Sequence, residues 1–201
     1  MKYVNILRNP AVKTKSLMLL IAVISAVALP QAFHILGAIS GFGPMPGATF
    51  LPMHIPVLIA GFLGGPVAGL LAGAISPAVS FGFTGALGMT VMPSSALLPF
   101  MTIELAGYGL MAGMLQKAKT PVFVNLLIAQ VFGRALRAVA VLAAVYILGI
   151  SNPAASVSSI WNIIVVGLPG IILQWALIPL IIYRAKGMNH PDLRSPLQGG
   201  E

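Results

Sequence analysis

The chain has 201 residues, of which 58 % are apolar and only 7 % charged, where a soluble domain carries about a quarter charged residues. From Ser16 to Gln116 the sole charged side chain is Glu104, so no water-soluble fold can cover this much apolar surface and the bilayer must be the solvent. Eleven Lys and Arg against three acids give a net charge of +8, but most of these bases flank apolar segments, where they set topology and do not read as a nucleic-acid surface.

A basic segment, residues 1–14, leads the chain and is expected in the cytoplasm. No small-residue cleavage site and polar mature chain follow it, so the first apolar stretch reads as a retained span and not a signal peptide. Apolar runs predict helices over 15–36, 52–64, 66–84, 95–116, 121–149 and 157–184. A span takes about 20 apolar residues, which leaves the second run short. A single helix over 51–75 is its rival, although Gly64-Gly65-Pro66 interrupts that stretch.

Charge parity decides between them. The bases outside the spans form three clusters: Lys2, Arg8, Lys13 and Lys15; Lys117 and Lys119; Arg184, Lys186 and Arg194. If all three face the cytoplasm, an even number of crossings separates each pair. Two crossings fit after Lys119. The roughly 100 residues between Lys15 and Lys117 are too many for two crossings of about 20 residues each, so four fit better. The expected fold is an all-α membrane protein: a six-helix transmembrane bundle over 15–184, both termini inside, with a cytoplasmic tail at 185–201.

The loops left outside, near 37–51, 85–94 and 150–156, contain no Lys or Arg. Residues 37–52, GAISGFGPMPGATFLP, are rich in Gly and Pro and predict no regular helix. They also carry Phe42, Met45 and Phe50, too apolar for a solvated linker. Such loops suit a lid over the outer mouth of the bundle.

Small residues form two patterns. Ala22 and Ala26 lie one turn apart on the first helix, and Gly61, Gly65, Gly69 and Gly73 recur every fourth residue. Both let helices approach closely, and internal packing explains either. Ionisable groups within the spans say more. Glu104 lies about ten residues into the fourth predicted span, and Arg134 and Arg137 about 13 and 16 into the fifth, which runs the other way. An isolated charge at such depth costs at least about 2.5–3.5 kcal/mol, so each needs a partner or a wet cavity. A structural Glu104–Arg134 pair is one outcome; arginines meeting an anionic or carbonyl-rich solute are the other. His54, Thr84, Trp161 and Asn162 lie near the outer ends of their helices and Gln174 deeper, behind Pro169-Gly170. Helix-end hydrogen bonding for His54 and interfacial anchoring for Trp161 compete with ligand contact.

Enzyme motifs are missing: there is no HExxH and no Walker A loop. The nearest string to an intramembrane serine-protease motif, residues 81–85, lacks the serine. The histidines, His34, His54 and His190, are not at metal spacing, and the absence of cysteine excludes thiolate ligands and nucleophiles. No catalytic residue, metal or cofactor is assigned.

The strings LPMHIPVLIAGFLGGPVAGLLAGAISP at 51–77 and MTIELAGYGLMAGML at 101–115, with Gly133-Arg134, resemble the substrate-binding S components of energy-coupling factor (ECF) transporters, within the broad group that includes pantothenate, folate, riboflavin and hydroxymethylpyrimidine carriers. AVISA at 22–26 is similar to the alanine pair those proteins present to their coupling subunit. The resemblance implies a six-helix bundle in a prokaryotic cell membrane that binds a vitamin or vitamin precursor from outside. It also implies a transmembrane coupling subunit and two cytoplasmic ATPases as partners, with Ala22 and Ala26 at the coupling interface. In that family the loaded bundle topples in the membrane to release its solute. An autonomous secondary transporter or channel, or a structural membrane protein, are the rival classes.

Overall fold

The computed structural model describes residues 10–43, 45–88, 93–150 and 152–185. Eight α-helices carry the described chain: α1 (Pro10–Ile39), α2 (Met45–Phe50), α3 (His54–Gly64), α4 (Pro66–Ala86), α5 (Leu98–Met114), α6 (Val122–Tyr146), α7 (Val157–Val166) and α8 (Leu168–Ala185). A 3-10 turn, Leu115–Lys117, extends α5. Six stretches are long and apolar enough to cross a membrane, with α2 and α3 together making the second. All-helical construction is what a bilayer demands, because a helix satisfies its own backbone where no water can. Much of the large apolar surface points outward; Leu17, Leu20, Ile21 and Ile24 form one such face of α1, at the spacing of a helix stripe.

The alternative of one helix over 51–75 is excluded at Gly65, whose φ of 90° separates α3 from α4. That conformation suits glycine, and Pro66 starts α4 where a missing N–H costs nothing. Three expectations are corrected. The segment 37–52 is not wholly irregular: α2 is a short helix within it. Leu51, with φ 49°, and Pro52 then break the chain before α3, since a residue preceding proline avoids the helical region. The last predicted helix is also two, α7 and α8. The turn falls at Gly167, shortly before Pro169, which has no N–H to continue the ladder. Helix α6 stops at Tyr146, not 149: the Ile150 N–H reaches back to the Ala144 carbonyl, with Gly149 at φ 64°, a left-handed helix ending.

The glycines act between helices. A Cβ on Gly69 would collide with the Gly109 carbonyl, one on Gly109 with the Gly69 carbonyl, and one on Gly73 with the Leu105 carbonyl. Here α4 and α5 pack backbone against backbone, as small residues permit in membranes. Ala22 and Ala26 also belong to the interior, in one apolar cluster with Leu58, Leu105 and Tyr108; Ala26 is fully buried. Of the two readings of the alanine pair, this burial fits internal packing: the pair brings α1 close to its neighbours inside the bundle. Of the basic residues used for topology, Lys2, Arg8, Lys186 and Arg194 lie outside the described residues, as does His190.

Candidate functional site

Between the helices is a cavity of about 540 Å³, within the size range of small-molecule sites. Its lining comes from the last third of α1 (Pro30, His34), from α2 and the start of α3 (Met45 to His54), from Ser80 of α4, from the start of α5 and its approach (Pro93 to Glu104), from Arg134 and Arg137 of α6, and from Asn162, Ile163 and Val166 of α7. These are the closing parts of α1 and α4 and the opening parts of α3 and α5. The cavity therefore sits toward the end of the bundle away from the N-terminus of α1.

Glu104 is the centre of its polar wall, with 1 % of its surface exposed. Its Oε2 accepts a hydrogen bond from Arg137 Nη1 at 3.0 Å. Its Oε1 accepts one from the Tyr108 hydroxyl at 2.9 Å and lies 2.9 Å from Arg134 Nη1, an ion-pair contact without hydrogen-bond alignment. His54 Nε2 stands 4.0 Å from the same oxygen, and the His54 ring rests on Tyr108 with centroids 5.3 Å apart. The helical period explains the convergence: Glu104 and Tyr108 are one turn apart on α5, and Arg134 and Arg137 three residues apart on α6, so each pair shares a face. Gly133 lets Tyr108 in, because a Cβ there would strike the Tyr108 ring.

The expected structural pair Glu104–Arg134 is thus a triad in which Arg137 shares the carboxylate. Its charges do not cancel. Glu104 is the only acid among the described residues, since the chain's other two, Asp192 and Glu201, lie outside them. Two guanidiniums face one carboxylate. Several buried nitrogens here have no hydrogen-bond partner: Arg134 Nη2, Arg137 Nε and Nη2, and both ring nitrogens of His54. Buried polar groups normally find partners, and an unfilled set lining a cavity is how a solute site looks without its solute.

Of the residues singled out in the sequence, the structure gathers His54, Glu104, Arg134, Arg137, Asn162 and the lid residue Met45 around the cavity. It does not bring the others there. The Thr84 hydroxyl is buried and donates to the Ser80 carbonyl of its own helix. Trp161 is 69 % exposed on the outer surface of α7. Gln174 is buried on α8 and accepts from Gln130 Nε2 at 2.8 Å, while Trp175 Nε1 donates to Gln130 Oε1; this amide network joins α6 to α8 apart from the cavity lining. Phe42 is exposed, and Phe50 packs against Phe33 of α1 in a tilted ring contact with centroids 5.4 Å apart. Sequence reasoning missed Tyr108, although its place one turn after a buried acid was visible. It also missed His34 and Ser80, and the methionines Met53 and Met101, which carry no signal apart from ordinary core residues.

Neither a curated protein nor a solved structure matches the chain. The family described as "ECF transporter, substrate-specific component" matches residues 16–182, a stretch that contains nearly all of every described span and the whole cavity wall. The chain therefore belongs to the substrate-specific components of ECF transporters.

Proposed function

We propose that this chain binds a vitamin or vitamin precursor in the cavity described above and delivers it through an ECF complex. Membership of the family makes it the substrate-specific subunit of a transporter and not an enzyme, a multi-pass protein of the plasma membrane. The observation that carries the binding site is the polar wall of Glu104, Arg134, Arg137 and His54, whose buried nitrogens lack partners and line a cavity of about 540 Å³. In a bilayer such charges are retained only where they do something.

The proposed cycle divides the labour. The solute enters from outside, at the end where α1 and α4 close and α3 and α5 open. The described parts of segments 37–52 and 85–95 supply its cover, with Met45 on the cavity side of the short α2; residues 44 and 89–92 of those segments lie outside the described residues. No nucleotide-binding loop occurs in the sequence, so ATP hydrolysis falls to two cytoplasmic ATPases acting through a transmembrane coupling subunit. With the alanine strip buried, Leu17, Leu20, Ile21 and Ile24 form one exposed apolar face of α1 open to lipid or to that subunit.

The test is reconstitution. The chain, affinity-purified from its native membrane in mild detergent, is expected to bring with it a membrane subunit and ATPase subunits. In proteoliposomes, uptake of solutes from a yeast small-molecule extract is expected only when all partners and ATP are present. Uptake by the lone chain, without ATP, would make it an autonomous carrier instead.

A further inference from the structure

Building on the proposed binding site, we infer that its solute is a singly charged carboxylate on an apolar body, held by Arg134 and Arg137 while Glu104 positions the two guanidiniums. Charge supplies the first part of the argument. One carboxylate against two arginines leaves one positive charge, and no second acid exists among the described residues to cancel it. A neutral solute would leave that charge buried without an anion. A phosphate monoester, at about −1.5 to −2, would exceed it and crowd Glu104 with like charge. One carboxylate closes the balance.

Geometry supplies the second. Each arginine spends one terminal nitrogen on Glu104 and keeps others free: Nη2 on Arg134, Nε and Nη2 on Arg137. Arg137 Nε and Nη2 form one edge of its guanidinium fork, the donor pair that suits the two oxygens of a carboxylate. Arg137 is 4 % exposed, so a bond made there is strong for want of competing water. Glu104, with the Tyr108 hydroxyl on its Oε1, is accordingly a positioning residue for the two cations.

The rest of the cavity describes the remainder of the molecule. Met45, Leu51, Met53, Leu97, Met101 and Ile163 make most of its wall apolar. Three of these are methionines, whose flexible thioethers adapt to an irregular shape. The solute's body is apolar; polar groups on it have His54, Ser80 and Asn162 to meet.

The test uses the intact protein in detergent and a water-soluble small-molecule extract of yeast as probe. The protein is loaded at pH 7, washed and denatured, and the retained compounds are identified by mass spectrometry. The expected result is a retained compound with one carboxylate and no other ionised group. Its primary amide, prepared from it, should bind at least about 30-fold more weakly, as loss of a buried charged contact requires. Arg137→Gln leaves one cation facing Glu104, so acid and amide should bind alike, whereas Arg137→Lys should restore preference for the acid. If Arg137→Gln does not fold, the comparison of acid with amide on wild type and on Arg137→Lys decides. A retained compound that is neutral, cationic or doubly negative overturns the inference while leaving solute binding intact. So does equal affinity of wild type for acid and amide, or an unchanged preference in folded Arg137→Gln. Retention of nothing by folded wild type overturns the binding reading itself.

Discussion

At Glu104 one side chain decides how three helices meet. Taking a carboxylate out of water costs several kcal/mol even after relaxation, and a single partner roughly offsets it. Here two guanidiniums and a phenol converge on it from α5 and α6. The phenol contributes twice, donating to Oε1 and supporting the His54 ring of α3. Tyr108→Phe keeps the ring and deletes the donor. The expected loss is about 1.5–3 kcal/mol, the range for a hydrogen bond to a charged group, read as a lower melting temperature of the solute-free protein in detergent. An unchanged melting temperature would mean that the two arginines alone satisfy Glu104. The charged members of this cluster were legible in the sequence because ionisable residues are so rare in the spans. What the sequence left undetermined was rotation about each helix axis. In a soluble protein polar residues mark the outward face, but in lipid both faces are apolar. Thr84, Trp161 and Gln174 therefore had the right chemistry and plausible depths, and only the folded bundle turns them away from the cavity.

Among the elements, α4 and α5 are held by the absence of side chains. Gly69 and Gly109 face each other so closely that either Cβ would enter the other's backbone, and rigid backbone cannot yield as a side-chain tip can. Gly69→Ala or Gly109→Ala should cost at least about 1–3 kcal/mol, as overpacking does, and should also shift Glu104 because it rides on α5. Gly82 on the same α4 has nothing within 4 Å of an added methyl, so Gly82→Ala should melt at or slightly above the wild-type temperature. Equal effects at all three positions would show that helix propensity, not close approach, governs these sites. The four-residue glycine spacing made packing legible, apart from Gly65, whose role is the turn. Helix breaks were harder to read. Proline marked the neighbourhoods of 52 and 169, but whether the chain stops, kinks or starts a short helix depends on what packs against it. Helix α2 exists beside α1: a Cβ on Gly47 would lie 2.8 Å from the His34 ring.

The molecule as a whole is a bundle whose outer surface is largely apolar and whose buried charged groups, among the described residues, meet inside one end. Span count was legible because backbone satisfaction in lipid leaves few choices, and the positive-inside rule supplied the parity. If all six stretches cross, the start of α1 and the end of α8 lie on one side of the membrane. Which side rests on the bases, of which Lys117, Lys119 and Arg184 stand among the described residues at ends of α5, α6 and α8. With those ends in the cytoplasm, the cavity opens outward, as an importer's binding subunit needs. Single cysteines test this directly, since the chain has none of its own. Ser40, just beyond α1, and Leu87, just beyond α4, are exposed at the cavity end, and Lys119 is exposed at the other. Gly88 is a poorer site than Leu87, because its φ of 66° would strain a cysteine. In intact cells an impermeant thiol reagent should label Ser40→Cys and Leu87→Cys and spare Lys119→Cys until the membrane is opened. Labelling of Lys119→Cys from outside, with Ser40→Cys protected, would invert the bundle and put the cavity's mouth in the cytoplasm. That result would remove import through this cavity while leaving the fold and the charge cluster as they stand.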